Sequence, residues 1–247
     1  MKYNAVVSSD WSECLAPSGP FDPISFIYPD LDSELSNVFK RYTGNEISLT
    51  EATQRISALI PAPITEDQMD AYLDAHFATY LGVPDFIEWC LSRGILFMIN
   101  TTSAQGYFQR VFAKNLLPAV PFVAANPLIR FLGATDDPRY RYRVAEIDDK
   151  PKNTEYLMKS LGISLKRAVI IGDSGGDGPH FEWGGSVGAF LISSMIKPSL
   201  DLYCGERGVT INKRFGRSYS PGEKRNRPEE MQTNFMDLTE TLESVLL

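Results

Sequence analysis

Cysteine, histidine and concentrated positive charge are all scarce in this sequence, and each scarcity removes a class of protein. The three cysteines, Cys14, Cys90 and Cys204, are odd in number and far apart. That spacing argues against a disulfide framework and fits a reducing compartment. There is no C-x-x-C pair, and the two histidines are His76 and His180, so a structural zinc site is not expected. The net charge is −7 and no dense Lys/Arg block occurs before residue 212, so nucleic acid is not an expected partner. The basic stretch 213–227 is diluted by Gly, Pro and Glu and reads as a solvated loop. No run reaches the ~18 apolar residues that a bilayer span needs, and no basic segment leads into an apolar one at the start. No membrane association is expected, and a cytoplasmic location is the default. What is present is ordinary for a globular domain: 43% hydrophobic and 22% charged residues over 247 positions, enough for a sizeable core.

Hydrophobic patterning alternates between two periods. Short apolar runs at 5–7, 95–99, 122–125, 168–171 and 188–192 read as buried strands. Helical spacing is expected over 84–93, 103–115, 153–161 and 229–247, with Gly94 and Gly162 as stops. Residues 128–146 suggest a two-stranded hairpin around Asp136-Asp137-Pro138. Between residues 30 and 82 there is no strand signal. Leu31, Leu35, Val38, Phe39 and Tyr42 share one helical face, 50–60 is a weaker helix, and Thr65-Glu66-Asp67-Gln68 has capping-box spacing before a third. Prolines at 17, 20, 23 and 29 mark 14–29 as a linker. The reading is an α/β fold with a Rossmann-like parallel sheet, formed by residues 1–16 and 84–247, and a small all-helical insert over 17–83. The stretch 195–228 has no assignment.

In such a sheet, ligands sit beyond the carboxyl ends of the strands. Three of those ends carry polar residues: Asp10, Asn100-Thr101-Thr102 and Asp173-Ser174. The strongest motif is Gly172-Asp173-Ser174-Gly175-Gly176-Asp177, in which a Gly-rich turn returns a second carboxylate to the first. Paired carboxylates repel unless a cation lies between them, and oxygen ligands favour a hard ion such as Mg²⁺. The plainer alternative is a turn in which Asp177 caps the next helix. Asp10, in Asp10-Trp11-Ser12-Glu13, suits a covalent nucleophile or, more blandly, a turn former. Thr101 suits a phosphoryl-oxygen ligand or an ordinary strand end. Lys150 suits neutralisation of transition-state charge, although taken alone it reads better as a solvated lysine.

These four segments, in this order, resemble the motifs of the haloacid dehalogenase superfamily: a strand ending Asp-x-Asp, a strand ending in Thr or Ser, a Lys opening a helix, and Gly-Asp-x-x-x-Asp. The insert is similar to that family's type-1 cap. The segment Ala125-Asn126-Pro127-Leu128 resembles the phosphoserine-phosphatase-like branch. The resemblance implies an aspartyl-phosphate at Asp10. It implies Mg²⁺ held by Asp10, the carbonyl of Ser12, Asp173 and Asp177, with Thr101 and Lys150 on the phosphoryl group. The implied substrate is a small phosphorylated molecule. Trp11, Glu13 and Thr102 are further substrate-binding candidates. His180, just after the metal loop, is expected to be structural.

The match breaks at Ser12, where phosphatases of this family carry an Asp that protonates the leaving oxygen. Its loss is worth roughly 10²–10⁴ in rate. Three readings stay open: a phosphatase whose leaving group is acidic or whose acid is Glu13, a carbon–phosphorus hydrolase resembling Asp10-Trp11-Ser12 and Thr101-Thr102, or a protein that binds a phosphorylated ligand without turnover. The second needs a lysine in the cap, and Lys40 is its only candidate, since none occurs between Lys40 and Lys114. A shifted register, with Ser8 in the nucleophile's place and Asp10 as the acid, would leave no nucleophile.

Overall fold

The computed structural model describes residues 2–43, 46–131 and 137–246. Six parallel strands form one sheet in the order β3-β2-β1-β4-β5-β6. They are β1 (Ala5–Ser9), β2 (Ile95–Ala104), β3 (Phe122–Asn126), β4 (Ala168–Gly172), β5 (Phe190–Ser194) and β6 (Lys213–Phe215). The central strands are continuous apolar runs because both faces of the sheet are covered. Val7, Phe97, Ile99, Val169 and Ile171 pack into one core cluster, whereas Val6, Leu96, Met98, Ile170 and Leu191 pack into the other. Alternate residues of a strand point to opposite faces, so each run feeds both clusters.

Four helices separate β1 from the helix that leads into β2: α1 (Asp22–Ile27), α2 (Asp32–Thr43), α3 (Leu49–Leu59) and α4 (Glu66–His76). The capping box at Thr65 forms as its spacing predicts, with the Thr65 hydroxyl accepting from Gln68 N and the Gln68 side chain accepting from Thr65 N. The chain leaves and re-enters the sheet side by side, where Tyr80 N donates to Leu15 O at 3.0 Å. The remaining helices are α5 (Val83–Ser92), α6 (Gln105–Ala113), α7 (Asp149–Leu161), α8 (Gly178–Val187), α9 (Pro198–Arg207), α10 (Arg227–Glu230) and α11 (Thr239–Leu246). Gly162 ends α7 in the left-handed conformation, φ 66°. Among the described residues no helix is long and apolar enough to cross a membrane.

Several expectations need correction. The linker over 14–29 contains α1, because Pro23 sits in its first turn, where a missing N–H does no harm. Strand β2 runs five residues past Ile99, so α6 starts at Gln105 rather than 103. Among the described residues of 128–146 there is a 3₁₀ turn at Pro138–Tyr140 and a single parallel bridge from Arg143 to Ala125, not a hairpin; Asp136 lies outside the described residues. The single helix expected over 229–247 is broken. Asn234 caps a new turn by accepting from Met236 N, and Phe235 N donates to Leu81 O at 2.8 Å, which ties the backbone away from a helical path. The basic stretch is no solvated loop: Lys213–Phe215 is edge strand β6, and Arg217 and Arg225 are ion-paired.

Candidate active site

The order reverses between β1 and β4, the position at which an open α/β sheet leaves a crevice beyond its strand ends. Ser9 pairs with Ile99 and with Ile171, and Asp10 N donates to Ile171 O at 2.9 Å. Asp10 and Asp173 therefore leave adjacent strands at nearly the same level. Asp177 returns to meet them because Gly172 has no side chain: a Cβ there would lie 2.6 Å from Asp177 Cγ. Asp177 Oδ2 then accepts from Asp173 N at 2.9 Å and Ser174 N at 3.4 Å. Its carboxylate closes its own loop and makes no side-chain cap on α8, against the plainer reading.

Asp10, Asp173 and Asp177 are all buried and offer ligand oxygens within 4.8 Å of one another. Lys150, in the first turn of α7, is also fully buried, not solvated. Its Nζ donates to Asp10 Oδ2 at 3.0 Å and to Asp177 Oδ1 at 2.6 Å. Asn100 anchors that turn, with Nδ2 donating to Lys150 O at 2.8 Å. Burial opposes charge on Lys150, but Asp10 and Asp177 outweigh it and hold the ammonium protonated well above its ordinary range. Asp10 is shifted upward: burial raises it, Lys150 pulls it back, and Asp177 raises it again. Burial is also the first cause at Asp173, which is pushed up to about 8 against the pull of Lys197, with Asp177 and Asp10 adding to the rise.

Lys197, which follows β5, comes from a segment with no assignment in the sequence. Its Nζ lies 2.7 Å from Asp173 Oδ2, an ion pair that leaves Asp173 Oδ1 buried without a hydrogen-bond partner among the described residues. Three crowded, buried carboxylates, one with an oxygen that no group bonds, fit a hard divalent cation on oxygen ligands. Lys150 and Lys197 balance part of that negative charge.

Ser12 shares a 2.5 Å hydrogen bond with Ser103 Oγ, and Thr101 donates to the same oxygen at 3.3 Å. In the extended β2, alternation places 101 and 103 together. Ser103 thus stands beside Ser12 and Thr101, whereas Thr102 is partly buried on the strand's other side. Trp11 is buried against Phe77, Tyr107 and Phe108. It lines, with Ser12, Ser18, Gly19, Ser103 and Tyr107, a cavity of about 10 Å³. That is space for one water at most. Tyr42, on α2, reaches the Gly172–Asp177 loop: its hydroxyl lies 3.6 Å from where a Cβ on Gly176 would be. Burial and then proximity to Asp10 and Asp177, opposed by Lys150, push that phenol up.

Glu13 is not free to reach the site. Its backbone is left-handed, φ 59°, and its carboxylate is bound by Lys197 and Arg225. Burial raises its carboxyl, but those two cations outweigh burial and hold it below the usual range. Arg225 also donates to buried Glu230, which accepts from Tyr80 and Tyr219. His180 is buried and shares a 2.9 Å hydrogen bond with Thr154; burial, with help from Lys150, lowers it to about 3, so it stays neutral. Lys40 is exposed on α2.

No family model matches the sequence, and no curated protein does. Solved structures do. A phosphoserine phosphatase, solved as an analogue of its phospho-aspartyl intermediate, aligns over 97% of this chain and 99% of its own, with TM-score 0.68 and 15% identity. The fold is that of haloacid-dehalogenase-type hydrolases. A substrate-bound phosphoserine phosphatase gives TM-score 0.64 and 18% identity over 87% of this chain and 95% of its own. A haloacid-dehalogenase-family hydrolase from Salmonella enterica gives 0.63 and 15% over 87% and 67%. At these identities the likeness is one of fold. In that frame Asp10, Thr101 and the Asp173–Asp177 loop lie toward the carboxyl ends of β1, β2 and β4, and Lys150 reaches the same crevice from the first turn of α7.

Proposed function

We propose that this chain is a Mg²⁺-dependent phosphatase that acts on a small phosphorylated metabolite through an aspartyl-phosphate at Asp10. The observation that carries the reading is the meeting of Asp10, Asp173 and Asp177 within 4.8 Å, with Lys150 bridging two of them. The carboxylates of these three residues and the carbonyl of Ser12 would hold Mg²⁺, which when bound supplies positive charge to the phosphoryl oxygens. Lys150 orients Asp10 and meets the charge that develops on phosphorus; the Thr101 hydroxyl, two residues before the Ser103 it bonds, is the phosphoryl ligand. Trp11 forms an apolar wall. Residues 17–83 act as a cap. The cavity beside Ser12 is too small for a metabolite, so α1 and the turn before it must swing away for entry and close again to exclude water. Glu13 has a structural role here, holding Lys197 and Arg225, rather than a substrate-binding one. Neither carbon–phosphorus cleavage nor binding without turnover is favoured by a further observation, and Lys40 is exposed rather than aimed at the site.

The test is phosphate release from a panel of phosphate esters and anhydrides, with Mg²⁺ and with a chelator. Release should need Mg²⁺ and vanish in Asp10→Asn. Equal release by wild type and Asp10→Asn sinks the reading.

A further inference from the structure

The proposed chemistry leaves one proton to be found. An ester oxygen departing from phosphorus takes the bonding electron pair, and an alkoxide is about as basic as hydroxide, whose parent water has a pKa of about 15.7. A positioned acid relieves this by roughly 10²–10⁴ in rate. Among the described residues, the groups that face inward around the gap beside Asp10 are hydroxyls. Ser12, Ser103 and Thr101 form one hydrogen-bonded chain, and Ser18 and Tyr107 line the same small cavity. A phenol releases its proton near pH 10 and aliphatic hydroxyls far above that, so none is an acid at neutral pH (about 10 for tyrosine).

Among the described residues, the ionisable groups nearby have partners of their own. Glu13 lies between Lys197 and Arg225. Asp22 is not among the residues that line the cavity; burial raises its carboxyl above the ordinary value, while it accepts the Gly19 N–H at 2.8 Å and faces Arg227 at 3.8 Å. Lys150 is fixed between Asp10 and Asp177, and His180 is bonded to Thr154 beneath the site. The second half-reaction, in which water attacks phosphorus, lacks a base at the same position.

We propose that the site serves phosphoryl donors whose leaving group departs as a stable anion, namely mixed phosphoric anhydrides and esters of acidic hydroxyls, and that the aspartyl-phosphate it forms is long-lived. This rests on the phosphatase reading above. In the first step an oxygen of Asp10 bonds to phosphorus, the bond from phosphorus to the leaving oxygen breaks, and that oxygen keeps the pair as a free anion with no proton transferred. In the second step a water oxygen bonds to phosphorus and the bond to Asp10 breaks. The pair returns to the carboxylate, and the water protons leave with phosphate or pass to solvent.

The experiment uses the full chain with Mg²⁺ and a series of ring-substituted phenyl phosphates, with acetyl phosphate and O-phosphoserine as the extremes. The expected kcat/KM falls by roughly 10²–10⁴ from the most to the least acidic leaving group. Phenol from the best substrates should appear as a burst stoichiometric with enzyme, ahead of slow phosphate release. Ser12→Asp should flatten the dependence and shorten the burst; if that variant does not fold, the wild-type series and burst decide alone. A level kcat/KM across the wild-type series, with turnover intact, overturns the proposal and spares the phosphatase reading. No release even from acetyl phosphate overturns both.

Discussion

Two loops bring carboxylates to neighbouring strand ends, and they are built in opposite ways. The Gly172–Asp177 loop takes its turn from its own residues, Asp177 bonding the backbone of Asp173 and Ser174 in the room left by Gly172, and is braced from beyond β5, where Lys197 N donates to Asp173 O and Ser199 Oγ accepts from Gly175 N. The Asp10–Cys14 loop has local bonds as well, Trp11 N to Asp10 Oδ1 and Leu15 N to Trp11 O, but its Ser12 and Glu13 side chains are held from far away in sequence. Glu13 sits in a left-handed conformation that a non-glycine residue adopts at some expense of free energy. It is kept there by Lys197 and Arg225, and Ser12 is tied to Ser103. A loop fixed by short-range spacing announces itself in sequence, whereas one fixed by distant ion pairs does not.

Lys150 joins the two loops, so its loss should have the largest effect. Lys150→Met leaves Asp10 and Asp177 buried and unpaired, and a destabilisation of about 3–5 kcal/mol at neutral pH is expected. Asp10 already lies above its usual range through burial. The deficit should therefore shrink as pH falls, because a protonated carboxyl tolerates burial; urea unfolding at neutral and acid pH measures this. The locally turned loop is broken at Gly172→Ala, whose Cβ would overlap Asp177. About 1–3 kcal/mol of stability should be lost by the same assay, together with Mg²⁺ affinity by calorimetry.

Glu13→Gln tests the loop held from afar, at about 1–3 kcal/mol. The folded carboxyl lies below its ordinary value of 4.5. Its contribution is thus fully present above that value and lost as pH falls through the lowered one, so variant and wild type should converge in acid. Equal stability at neutral pH would mean that the two cations do not anchor the loop. Thr65→Ala, which removes the capping box of α4 in the insert, should lower the melting temperature by an amount equivalent to about 1 kcal/mol and leave Mg²⁺ binding unchanged.

The same contrast explains what the sequence made legible. Strands β1, β2, β4 and β5 and the residues at their ends were readable because each run is contiguous and buried on both faces. Lys150 was ambiguous because nothing local separates a solvated lysine from one buried by carboxylates 27 and 140 positions away. Ser103 was missed because the strand was stopped at Ile99; continued through polar residues, its alternation pairs 103 with Thr101. Lys197 and Arg225 lie in a stretch with no hydrophobic period, and a charge that pairs with a distant partner looks like any surface charge. The helix break at Asn234 is turn chemistry that overrode a plausible period, and α1 forms within a proline-rich stretch because Pro23 falls in its first turn.

The most direct measurement is a crystal structure of the chain with Mg²⁺ and beryllium fluoride, a mimic of a phosphoryl group on a carboxylate. The account predicts the beryllium bonded to an oxygen of Asp10, and one cation touching Asp10, Asp173 and Asp177, with Lys197 drawn off Asp173. A structure in which the beryllium is absent from Asp10 and Lys197 still occupies the space beside Asp173 would contradict it.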